Sequence, residues 1–179
     1  MAFIFGGRLS NLEKIRLRGV YFVFLAFMIE YLAGYMMSGN SQDWISGHTV
    51  WIQFVVYALL GGFFVLNIQY LGMKFIATGS LLNAIVIFAN GGYMPVKPDL
   101  AMIQGYSNAV KALKVGEVFG HKVLETSRDL FIFLADIIDI PEPYLFPKTV
   151  SVGDCIIGMG AFFIIFMNMA YSKKNSFPI

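Results

Sequence analysis

The sequence predicts an all-α integral membrane protein, and three observations predict it. The 179 residues are 58% hydrophobic and only 13% charged, with a mean hydropathy of +0.69, outside the balance of an ordinary soluble domain. Four apolar runs approach the about 20 residues that a helix needs to cross a bilayer: roughly 19–38, 49–70, 74–91 and 151–171. Basic residues gather between and beyond those runs rather than inside them.

The first run, from Gly19 to Ser38, carries a single charge, Glu30. The second begins at Thr49 and ends near Tyr70. The tripeptide Leu71, Gly72, Met73 then separates it from Lys74, which predicts a tight hairpin between the second and third helices. The third run ends in FANGGYMPV, residues 88–96, and the fourth ends at Lys173 and Lys174. In FANGGYMPV the residues Asn90, Gly91 and Gly92 tolerate left-handed backbone and predict a helix C-cap. Pro95 then blocks continuation, and Tyr93 suits a membrane interface.

Arg8, Lys14, Arg16 and Arg18 precede the first run, Lys74 marks the turn after the second, and Lys173 and Lys174 follow the fourth. With four spans these clusters fall on one side, so both termini are expected in the cytoplasm, with the 39–48 loop and the 92–150 region outside. Six basic residues in 92–150 oppose this, but a long loop weighs less in the rule. The whole of 1–179 is read as one membrane domain, with 92–150 an extracytoplasmic helical cap.

Two stretches of that cap read as helices. In 99–115, Met102, Tyr106, Ala109, Val110 and Leu113 share a face while Lys111 and Lys114 lie off it, as in a helix resting on a surface. In 127–140, Leu130, Leu134, Ile137 and Ile138 form a stripe broadened by Phe131 and Phe133 and closed by Pro141 and Pro143, which predicts a re-entrant or interfacial helix. Thr126 and Asp129 stand as its capping pair.

The residues out of place carry the functional question. Glu30 lies near the middle of the first span, where a charge costs about 3 kcal/mol on insertion scales. It is either a carboxylate facing a polar path for a proton or cation, or a protonated acid bonded to Gln53 or Asn83. The amides Gln53, Asn67, Gln69, Asn83 and Asn90 lie in or beside the second and third runs. Asn83 and Asn90, seven apart, share a helix face that lines a pathway or bridges helices. Gly61 and Gly62 with Gly79 and Ser80 allow close packing across the hairpin, and Gly158 and Gly160 do the same in the fourth run. Asn90, Gly91 and Pro95 also offer an alternative to capping: exposed backbone carbonyls that bind a cation or polar headgroup. Ser151 and Asp154 approximate a capping box, and a second role for Asp154 stays open.

No cofactor is expected. The single Cys155 excludes an internal disulfide framework and a cysteine-based metal site within one chain. His48 and His121 fall outside the spans, which leaves a haem held within the bilayer unsupported, and no ligand spacing joins them to Asp43 as a metal site. A net charge of +2 is too small to argue for nucleic acid. Met1 to Phe5 are too few for a cleavable signal. The sequence holds no GxSxG, phosphate-binding glycine loop with lysine, or HExxH, so catalysis is poorly supported.

The stretches GGRLSNLEKIRLRG at 6–19, NGGYMPV at 90–96, LADIIDIP at 134–141 and SVGDCIIGMG at 151–160 together resemble an uncharacterised family of small bacterial multi-pass membrane proteins. The resemblance covers nearly the whole chain and implies a bacterial cytoplasmic membrane protein, with no activity attached. It marks Arg8, Asn90, Gly91, Pro95 and Asp154 as motif positions. The family pattern has a further apolar helix before GGRL where this chain has MAFIF; with that helix restored, the amino terminus would lie outside.

Two function classes follow. One is a small transporter or channel for a polar solute or ion, with Glu30, Gln53, Asn83, Asn90, Gly91, Pro95 and Asp154 along the path. Four helices are few for that task, so a homo-oligomer is implied. The other is a non-catalytic membrane subunit or assembly factor, binding a partner protein or lipid headgroups through Met102, Tyr106 and Leu113. A lipid-active enzyme using Asp154 with His121 ranks third.

Overall fold

Apolar length and chain-breaking residues place four long helices close to where the hydropathy puts them. The computed structural model describes residues 9–37, 39, 41–97, 107–140 and 148–170. Its long helices are α1 (Val20–Met37), α2 (Gln42–Leu66), α3 (Leu71–Ala89) and α5 (Val152–Ala170), each long and apolar enough to cross a membrane. Between α3 and α5 lie β1 (Met94–Val96), the short helix α4 (Ser107–Lys114), β2 (His121–Val123), β3 (Ile138–Ile140) and β4 (Lys148–Val150). Large apolar side chains such as Phe24, Phe27, Tyr31, Trp51, Val65 and Phe162 stand exposed on the helices, a surface that hydrocarbon solvates and water does not.

Two boundaries move. The α2 helix starts at Gln42, seven residues before the apolar run, because Asp43 in its first turn favours the positive helix end. His48 therefore stands on α2, with Nδ1 bonded to the Trp44 carbonyl and its ring stacked on that indole. The tripeptide 71–73 belongs to α3, and the turn is Asn67–Tyr70. Asn67 is fully buried: its Oδ1 accepts the Arg18 N–H at 2.8 Å and its Nδ2 donates to the Arg18 carbonyl at 2.7 Å. That amide clips the start of α1 to the α2–α3 turn.

The helices pair as α1 with α2 and α3 with α5. The expected close packing across the α2–α3 hairpin is corrected. Gly61 faces open space, and α2 and α3 leave an apolar groove of about 660 Å³ between Phe54, Ala58, Gly61, Ala77, Leu81 and Ile85. The close contact is elsewhere. Gly72 meets Gly160 and Gly79 meets Gly153, so two glycines seven apart on α3 oppose two seven apart on antiparallel α5. A Cβ on Gly160 would come 2.5 Å from the Gly72 carbonyl oxygen, so only glycine lets these backbones touch. Gly158 faces open space and takes no part.

The α3 C-terminus ends as its sequence predicts. Gly91 sits at φ +70° and the Gly92 N–H donates to the Ile87 carbonyl at 2.8 Å, the six-to-one bond of a Schellman ending.

The helix predicted over 127–140 does not form. Phe131 takes φ +55°, Ile132–Leu134 make one 3-10 turn, and Ala135 is extended. Beyond it the backbone is extended and pairs with other strands. β1 runs parallel to β2, with Pro95 opposite Lys122, while Val96 also bridges Asp136. β3 and β4 pair antiparallel, Ile138 opposite Val150. Pro95 is tolerated because only its carbonyl is needed on the Asp136 side, where it accepts the Asp136 N–H at 3.1 Å. Asp129 closes a turn rather than a helix, accepting the Glu125 N–H at 2.7 Å and pairing with Lys122 at 2.6 Å. Within 99–115, helix is present over Ser107–Lys114; Met102 and Tyr106, like Arg8, Pro141, Pro143, Lys173 and Lys174, lie outside the described residues.

Two apolar clusters seat this segment on the helix ends. Phe119 packs with Ala33, Met37 and Ile45 on α1 and α2. Met94 and Ala135 pack with Val86 and Ile87 on α3.

Candidate functional site

Seating the described parts of the 92–150 segment on the bundle leaves a cavity of about 480 Å³ beneath them. All four long helices contribute: Glu30 and Gly34 from α1, Gln53 and Tyr57 from α2, Asn83 and Ile87 from α3, Asp154 from α5. The segment adds Met94, residues 117–121 and Asp136. Glu30 lies seven residues before the end of α1, and Asn83 six before the end of α3. At 1.5 Å per residue the cavity reaches roughly 10 Å into the bundle.

Of the seven residues proposed for a path, four meet here: Glu30, Gln53, Asn83 and Asp154. Glu30 is half-buried and, among the described residues, its carboxylate has no hydrogen-bond or ion-pair partner. Of the two alternatives for Glu30, the bond to Gln53 or Asn83 does not form among the described residues, and Asn83 is engaged elsewhere. Its Nδ2 donates to Asp154 Oδ1 at 2.8 Å, and its Oδ1 accepts the Ser151 hydroxyl at 2.9 Å. Ser151 and Asp154 complete the capping box: the Asp154 N–H donates to Ser151 Oγ at 2.9 Å and the Ser151 N–H to Asp154 Oδ2 at 3.2 Å. Asp154 thus caps α5, braces α3 and lines the cavity at once.

The other three positions build the frame. Asn90 is buried; its Nδ2 donates to the Leu130 carbonyl at 3.0 Å and its Oδ1 accepts the Leu130 N–H at 2.9 Å, holding the 130s loop to the end of α3. Gly91 supplies the left-handed turn, and Pro95 is fully buried in β1. The carbonyls of Pro95 and Val96 accept the N–H groups of Asp136 and Leu124 within the strand pairing.

Two buried oxygens on lining residues lack a hydrogen-bond partner among the described residues. Gln53 is 3% exposed and Asp136 7%, and Gln53 Oε1 and Asp136 Oδ1 are buried without a hydrogen bond. The Gln53 amide lies against Gly120, where a Cβ would come 2.7 Å from Nε2. Burial together with the negative charge of Asp154 pushes the Asp136 carboxyl up to about 7, with Lys148 pulling modestly the other way. Among the described residues no group of three or more His, Cys, Asp and Glu side chains converges to hold a metal ion.

Sequence reasoning did not place Tyr57, Glu117 or Asp136 in a site, whereas all three line the cavity; His121, which entered only the third-ranked reading beside Asp154, is exposed and lines the same cavity. The signal for Asp136 is LADIIDI, an acid inside an apolar run, the same irregularity that singles out Glu30.

The comparisons extend over almost the whole chain. An uncharacterised protein of Thermotoga maritima is 24% identical over 176 residues, covering 97% of this chain and 89% of its own length. No solved structure matches. The model of a family of unknown function, DUF5317, matches residues 14–166. A match across that much of the sequence makes this chain a member of the DUF5317 family.

Proposed function

We propose that this membrane protein is a small carrier that takes a polar, positively charged solute or ion into the cavity below the 92–150 segment. The observation that carries the reading is the meeting of an intramembrane acid, Glu30, with Gln53, Asn83 and Asp154 around one volume, two of whose lining residues, Gln53 and Asp136, each carry a buried oxygen without a hydrogen bond among the described residues. Such an arrangement is unfavourable for an empty protein, and a donor or cation relieves it. Along α1 the lining ends at Glu30, short of the far end of the helix, which favours a carrier over an open pore.

The distribution of Lys and Arg supports cytoplasmic termini in a bacterial cytoplasmic membrane, with the cavity mouth outside. A homo-oligomer fits so small a bundle.

Sealed vesicles containing the purified protein and an internal pH dye test the reading. Gradients of methylammonium, putrescine, potassium or sodium are imposed in turn. Cation-dependent proton movement that disappears in Glu30→Gln, at equal protein incorporation, supports it. Silence with all four cations, alongside lost association with a co-purifying membrane protein on changing Leu113, favours the assembly-factor reading instead.

A further inference from the structure

Resting on the carrier reading, the geometry points to a ligand class: we infer that the cavity takes a small organic cation bearing N–H donors, an ammonium or guanidinium group on a short apolar body. Charge sets the sign. Glu30, Glu117, Asp136 and Asp154 line the volume against one imidazole, His121, and no Lys or Arg among the described residues lines it. The nearby ammonium of Lys122 is held by Asp129, and Lys148, whose charge reaches Asp136, stands outside the lining. The wall therefore favours a cation over an anion.

The unpaired oxygens set the donor requirement. Gln53 Oε1 and, once its carboxyl is ionised, Asp136 Oδ1 are both acceptors, on side chains more than nine-tenths buried. An ammonium has three donors and a guanidinium five, so either can satisfy an amide oxygen and a carboxylate together. A quaternary ammonium has the charge but no N–H and leaves both oxygens as they are.

Size and wall chemistry argue against a bare metal ion. Calcium takes about six to eight oxygens at close range, and among the described residues no three acids converge. About 480 Å³ falls in the range of small-molecule sites. Tyr57, Ile87, Met94 and Phe119 give part of the wall an apolar and aromatic character that suits a methylene chain and faces a cation with ring electrons.

Calorimetric titration of the full-length protein in lipid nanodiscs tests this with putrescine, agmatine, tetramethylammonium, sodium and calcium as probes. Putrescine or agmatine is expected to bind saturably, at least tenfold tighter than tetramethylammonium. Gln53→Leu and Asp136→Asn should each weaken it tenfold or more, with folding checked by circular dichroism. Glu117→Gln serves if Asp136→Asn does not fold, with weakening again expected. The inference is overturned if neither amine binds, if tetramethylammonium or a metal ion binds as well as they do, or if Gln53→Leu binds like the parent. An amine that binds in nanodiscs yet never crosses sealed vesicles upholds this ligand class and removes the carrier reading. A cation that crosses while both amines fail to bind does the reverse.

Discussion

Asn83 and Asp154 stand 71 residues apart in the chain, and the amide of one donates to the carboxylate of the other at 2.8 Å. The bond joins the middle of α3 to the first turn of α5 at the wall of the cavity, and it makes a helix cap part of the tertiary structure. Asn83 is as much a structural partner of Ser151 and Asp154 as a lining residue.

Replacing Asn83 with Leu should therefore cost about 1–2 kcal/mol, the sum of two interhelical hydrogen bonds. Asp154→Ala should cost more, since it also removes the α5 cap. Unfolding in mixed micelles measures both, and a smaller loss for Asp154→Ala than for Asn83→Leu would contradict the capping role.

Gly79→Val and Gly160→Val should be severe, about 3 kcal/mol or more, because each Cβ meets backbone on the facing helix. Gly61→Val and Gly158→Val should be nearly silent, because both sites are open. The yield of monodisperse protein in detergent separates the two pairs.

Asn90→Ala should cost about 1–3 kcal/mol, since the Leu130 N–H and C=O lose their partner. Hydrogen exchange should quicken around Leu130 while α3 keeps its protection. Equal quickening in both would mean that Asn90 supports the helix rather than the loop.

Asp136 should make stability depend on pH. The folded chain keeps its proton up to about pH 7, whereas an unfolded Asp releases it near pH 4, about its ordinary value. Between those limits the folded state binds more protons, so stability falls as pH rises. The groups that set this titration are Asp154 on α5 and Lys148 on β4, with Glu30, Glu117, His121 and Tyr57 around the same cavity. Melting temperature should climb from pH 8 to pH 5 in the parent, and Asp136→Asn should flatten that part of the climb. An unchanged slope in the variant would place the titration elsewhere.

The long helices were legible because apolar length is a local property, and Ser151 with Asp154 because a cap is read over three residues. Glu30 and Gln53 were legible as misfits. Their setting was not, since the partner of Asn83 lies in another helix and Asp136 reaches the cavity only through the Val96 bridge. The 127–140 stretch misled for a related reason. Its apolar spacing imitates a helix, but Phe131 in the left-handed region and Ala135 in a buried, extended place are set by contacts with α3 and β1. Small parallel strands such as β1 and β2 leave almost no periodic trace in three residues each.

The twin glycine contacts have a mechanical consequence. Where backbone lies on backbone, with Ile76, Ile157 and Ile164 closing the sides, the main chain itself sets the spacing of α3 and α5, and not even a methyl group fits between them.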